Sequence, residues 1–112
     1  MAKLECELTG NFDALLQKIE DAILDGSSTA SREDESDFTI SNCRCAVRVY
    51  ERYSALGGNR VSLNLTLVQA GEQIRLCAIT SGGSQAMFLK LNTFGEEAFL
   101  STIKETVDNY AK

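Results

Sequence analysis

Residues 43–53 read CRCAVRVYERY, and the fold turns on which of their two alternating sets faces inward. Cys43, Cys45, Val47 and Val49 alternate with Arg44, Ala46, Arg48 and Tyr50, the period of a half-buried strand. The first set is the more apolar, so the reading places it on the core. Arg44, Arg48 and Arg52 then project from the opposite, polar face.

Outward from this stretch the chain reads as an antiparallel meander over residues 42–91. Val61, Leu63, Leu65 and Leu67 alternate with Ser62, Asn64 and Thr66; after the turn QAGEQ come Ile74, Leu76 and Ala78. The stretch TSGGSQ at residues 80–85 separates these from Met87, Leu89 and Leu91, a further alternating run. Between two strands, Gly82-Gly83 reads as a tight hairpin turn. A phosphate cradle would need the glycines to lead from a strand into a helix, and the lysine and threonine of a P-loop are missing.

On the N-terminal side, Leu4, Cys6 and Leu8 alternate with Lys3, Glu5 and Glu7 as a strand. Phe12, Leu15, Leu16, Ile19 and Ile23 then change to helical spacing. Asn11 is placed to cap this helix, and Gly26 to end it in a left-handed conformation. The stretch SSTASREDESDFTIS at 27–41 is polar and acidic and reads as a solvated strand end and turn. It has no glycine for a calcium loop. At the C-terminal end, Phe99, Ile103, Val107 and Tyr110 form a second helix, with Thr93 and Glu96 as a capping box at its start.

The order strand, helix, four or five strands, helix predicts a single α+β domain over 1–112. Its two layers are an antiparallel sheet of five to six strands and two helices on the apolar face. The element order is similar to a reduced helix-grip domain, whose larger members hold apolar ligands between sheet and helix. In such a fold Leu63, Leu65, Leu67, Leu76, Met87, Leu89, Phe99 and Ile103 would line either a cavity or a filled core.

Composition narrows the chemistry. The 112 residues include no histidine, which excludes Ser-His and Cys-His pairs and a histidine metal ligand. Four cysteines, Cys6, Cys43, Cys45 and Cys77, occur in a chain without an apolar export signal and read as reduced, buried small hydrophobes. A zinc site would need all four to converge, which spacing does not indicate. No segment approaches the ~20 apolar residues of a membrane helix, so the cytosol is the expected location. Asn64-Leu65-Thr66 is then a chance glycosylation tripeptide. No cofactor, metal or catalytic residue is expected.

The net charge of −5 hides an asymmetry. Residues 42–92 carry six basic and two acidic side chains, while the remainder carries five basic and fourteen acidic. Arg44, Arg48 and Arg52, with Arg60, Arg75 and Lys90 as neighbours and Tyr50 as a stacking surface, form the candidate anion- or partner-binding face. The competing reading is that these arginines solvate the sheet or pair with the acidic 33–37 segment. A pI near 4.7 favours that reading and disfavours nucleic acid as a partner.

The runs RCAVRVYERYS, GGNRVSLNLTL and ITSGGSQAMFLKLNTFGEEAFL resemble a family of small bacterial proteins classed as a domain of unknown function. The resemblance implies a stand-alone bacterial domain and carries over no reaction and no catalytic residue. The leading expectation is a non-catalytic domain that binds a small ligand or an acidic protein partner. The alternatives are an enzyme acting on an anionic substrate at Arg48, Tyr50, Arg52 and Arg60, and a homodimer formed through the edge strand 3–8.

Overall fold

The structure is a computed structural model that describes residues 1–53, 60–82 and 89–110, with the side chains of 89–95 outside that description. The elements are β1 (Ala2–Leu8), α1 (Phe12–Asp25), β2 (Ser31–Ile40), β3 (Cys43–Tyr53), β4 (Arg60–Ala70), β5 (Gln73–Gly82) and α2 (Leu89–Tyr110). The five strands form one antiparallel sheet in the order β1-β5-β4-β3-β2. This is the expected α+β arrangement, with the helices packed on one face.

Leucine and isoleucine at alternate positions decide which face that is. Leu63, Leu65 and Leu67 of β4 and Ile74, Leu76 and Ala78 of β5 are fully buried, together with Phe12, Leu15, Ile19 and Ile23 of α1 and Phe99, Ile103 and Val107 of α2. The helix spacing of three and four and the strand spacing of two meet in one continuous core. Leu63, Leu65, Leu67, Leu76, Phe99 and Ile103, expected to line either a cavity or a filled core, all belong to this buried cluster. Met87 lies outside the described residues, as does the Leu89 side chain.

In β3 the inward set is the reverse of the expected one. Tyr50 pairs across with Leu63, Arg48 with Leu65 and Ala46 with Leu67, so these three share the leucine face. Ala46 and Tyr50 are 1% and 0% exposed and Arg48 only 8%. A one-residue change of parity turns every side chain over. The leucines of β4 set that parity, because they have no polar alternative. Arginine and tyrosine tolerate it because their polar ends meet acidic partners, Asp37 for Arg48 and Glu20 for Tyr50.

Asn11 caps α1 as expected, its side-chain oxygen accepting the Ala14 N–H at 2.9 Å. Gly26 does not take a left-handed conformation: its φ is −74° and its N–H donates to the Ala22 carbonyl at 3.0 Å. The glycine is required by close approach, since a Cβ there would lie 2.9 Å from the Ala22 oxygen and 3.1 Å from Thr102 Cγ2 of α2. At the β4–β5 turn, Gly71 has the positive φ of 63° that a two-residue hairpin needs.

Two further boundaries differ from the sequence reading. The 31–40 segment is a full edge strand, shifted in register between Arg32 and Asp34. Leu89 and Leu91 belong to α2 rather than a strand, so Thr93 lies inside the helix and does not cap it. A short apolar run carries no period that separates strand from helix. Gly82 ends β5, and the next described element is a helix; the Gly83–Gln85 part of the turn reading lies outside the described residues. No helix among the described residues is long and apolar enough to cross a membrane.

Candidate functional site

The β3 row of Arg44, Arg48, Tyr50 and Arg52 lies against the helices. Arg44 stacks 4.4 Å from the centre of the Phe12 ring and donates to both Asp13 oxygens at 2.5 and 3.1 Å. That forked bond holds the Asp13 carboxyl below its usual range. Arg48 donates from Nη1 to Asp37 Oδ1 at 3.0 Å and from Nη2 to Oδ2 at 3.3 Å, with Glu35 3.6 Å from its Nε. Burial opposes its charge, but the Asp37 bond and the two carboxylates outweigh burial, and the guanidinium pKa is raised.

Tyr50 donates its hydroxyl proton to Glu20 Oε1 at 3.3 Å, and the same oxygen accepts from Arg32 Nη1 at 2.9 Å. Burial first, then the Glu20 charge and hydrogen bond, push the phenol well above its ordinary value. This is the opposite of the arginine-lowered phenol that a proton donor would need. Arg52 lies 4.6 Å from the Phe99 ring centre, and burial lowers its pKa. Its Nε is buried and has no hydrogen-bond partner among the described residues.

The remaining candidates lie elsewhere. Arg60 sits on the other sheet face, ion-paired with Glu51 and 3.9 Å from Glu33. Arg75 is on that same face at the opposite end, 3.5 Å from Glu5 and 3.8 Å from Glu7. Lys90 is in the first turn of α2, and its side chain is outside the described residues. The seven residues therefore do not form one surface. Arg44, Arg48 and Arg60 instead pair with the chain's own acids, including Glu33, Glu35 and Asp37.

The cysteines also divide between faces. Cys43, Cys45 and Cys77 follow the outward parity of β3 and β5, whereas Cys6 faces the helices. The expected inward placement of Cys43 and Cys45 is thus reversed with the rest of β3. All four thiols are free, and burial raises Cys6 and Cys45 above the ordinary thiol value. Groups of three or more metal-ligating side chains are absent among the described residues.

What the sequence reading missed is the face that no described residue covers. Its middle comprises Val47 and Val49 of β3, Asn64, Thr66 and Val68 of β4, and Cys77 and Ile79 of β5. None of these is charged. The charges stand at the margins: Lys3, Glu5, Glu7 and Arg75 along one side, Glu51 and Arg60 towards another. Ile79 is 37% exposed in the middle, and Phe38 on β2 is 47% exposed. The available signal was the β-branched residues Val47, Val49, Val68 and Ile79 standing at the parity opposite to the leucines.

A family model described as a family of unknown function, DUF6054, matches residues 1–111. The chain belongs to DUF6054. No curated protein matches it. Membership agrees with the reading as a domain of unknown function and brings no reaction with it, so a functional reading of this chain rests on the geometry above.

The Tyr50 environment gives a test of that geometry. A phenol whose folded-state pKa is raised stabilises the fold fully below the unfolded value of ~10, and this contribution is lost as pH rises through the folded value. The unfolded chain then releases a proton that the folded chain retains. In urea titrations, stability is expected to fall above pH 10 by up to ~1.4 kcal/mol per pH unit more in the parent than in Tyr50→Phe. At pH 8 the substitution costs about 1 kcal/mol, the contribution of one hydrogen bond. Identical alkaline slopes for the two proteins would contradict the buried Tyr50–Glu20 contact.

Proposed function

We propose that this protein is a non-catalytic protein-binding module whose working surface is the uncovered face of the sheet. The observation that carries the reading is the uncharged, half-apolar middle of that face, bounded by charges of both signs. Charge depletion at the centre with a polar rim is the composition of a protein interface.

The neighbouring possibilities have less support. Of the residues proposed for an anionic substrate, Arg48 pairs with Glu35 and Asp37, Arg60 pairs with Glu51, and Tyr50 has a raised rather than a lowered pKa. The core positions suggested for an apolar ligand are packed by Leu63, Leu65, Leu67, Leu76, Phe99 and Ile103 at no exposure. A surface hollow bounded by Glu51, Arg60, Ser62 and Ser81 has its polar groups bonded to one another, with Ser62 Oγ 2.9 Å from Ser81 Oγ.

The test is photo-crosslinking in cells that make the full chain, with a benzophenone amino acid placed at Val49 or at Lys104. Lys104 is exposed on α2, in the helix layer. The proposal expects discrete higher-mass adducts from position 49 and none from position 104. Absence of adducts at 49 would overturn it.

A further inference from the structure

We infer that the occupant of the uncovered sheet face is a second copy of this chain, packed face to face across a two-fold axis. This rests on the protein-binding reading above and names the partner.

Area supplies the first argument. Five strands spaced ~4.8 Å apart, with about ten residues rising ~3.3 Å each, make a face of roughly 800 Å². That is about what each partner contributes to a stable interface of standard size. Two such sheets packed ~10 Å apart would close a β-sandwich with helices on both outer sides.

The edges supply the second. β2 carries Arg32, Glu33, Asp34, Glu35 and Asp37 and a register shift, and β1 is seven residues long with Lys3, Glu5 and Glu7. Short, charged or bulged edges resist strand addition. The molecule is guarded where another strand would pair and unguarded on its face. The edge-strand dimer suggested by residues 3–8 alone is therefore disfavoured.

Asn64 offers a substitution that separates pairing from folding. It is exposed, and its neighbours across the sheet are Val49 and Ile79. In a single chain, Asn64→Lys adds a charge that water solvates; in the pair it buries that charge without a partner. Sedimentation velocity on the purified full chain is expected to give a dimer, and Asn64→Lys to weaken it by at least ~100-fold with an unchanged circular dichroism spectrum. Thr66→Lys, one position along the same face, is expected to do the same.

A measurement on the unsubstituted chain stands beside these. The rate of maleimide labelling at Cys77 is expected to fall several-fold as protein concentration rises through the dimerisation range. A monomer at ~100 μM would overturn the inference, as would a dimer unaffected by both lysines or a Cys77 rate independent of concentration. If the chain is monomeric while position 49 still crosslinks to a different protein, the second copy is ruled out and the protein-binding reading stands. If position 49 captures nothing, both fail.

Discussion

Arg48→Glu is expected to cost about 4 kcal/mol, enough to leave much of the protein unfolded at 37 °C. Arg48 is 8% exposed and lies between the Asp37 and Glu35 carboxylates. The substitution removes the cation that both acids face and inserts a third carboxylate beside them. The cost comes from the new carboxylate, which would sit at a position only 8% exposed, with two like charges beside it and no cation to pair with. Arg48→Met should behave differently. It keeps the stem against Leu65 and removes the charge, and Asp37 and Glu35 are exposed enough to be solvated, so a cost below ~1.5 kcal/mol is expected. Urea denaturation of the two variants gives the comparison. Equal and small effects would return Arg48 to an open face and reopen the anion-binding reading.

The second large effect separates adjacent residues of β4. Leu65 is fully buried beneath the helices, whereas Thr66 points to the uncovered face. Leu65→Ala is expected to cost ~3–4 kcal/mol, combining the lost transfer free energy with the cavity left in the buried cluster. Thr66→Ala should cost less than ~1 kcal/mol, mostly strand preference. Thermal melts register this as a difference of more than ~10 °C in midpoint for a domain of this size. Similar costs at the two positions would mean that this chain's own residues cover both sheet faces.

The parts of the fold legible in the sequence are those where one physical requirement acted alone. β4 shows it most clearly, because its leucines fall on one parity and its Ser62, Asn64 and Thr66 on the other. The α1 stripe and its Asn11 cap were equally readable. β3 was not, because each of its two faces is apolar in part: valine and cysteine on one, alanine, tyrosine and arginine stems on the other. Which face turned inward was settled by the leucines of the neighbouring strand, whose partners in β3 lie thirteen or more residues away along the chain. β2 was obscured for another reason. At an edge both of its faces meet water, and Arg32, Glu33, Asp34, Glu35 and Asp37 gave it no hydrophobic period to read. Pairing of those acids with the arginines was correctly anticipated as one of two readings, since opposite charge in a single small domain needs no pattern to find its partner. The uncovered face went unread because it follows directly from the parity of β3.

The claim that the arginine and tyrosine row faces the helices, leaving the valine row as the free surface, is tested most directly by nuclear Overhauser effects from β3. The structure predicts contacts from the Tyr50 ring protons to the Glu20 side chain of α1, with none from the Val47 or Val49 methyl groups to that helix. Contacts from Val47 and Val49 to α1, with Tyr50 silent, would contradict the account.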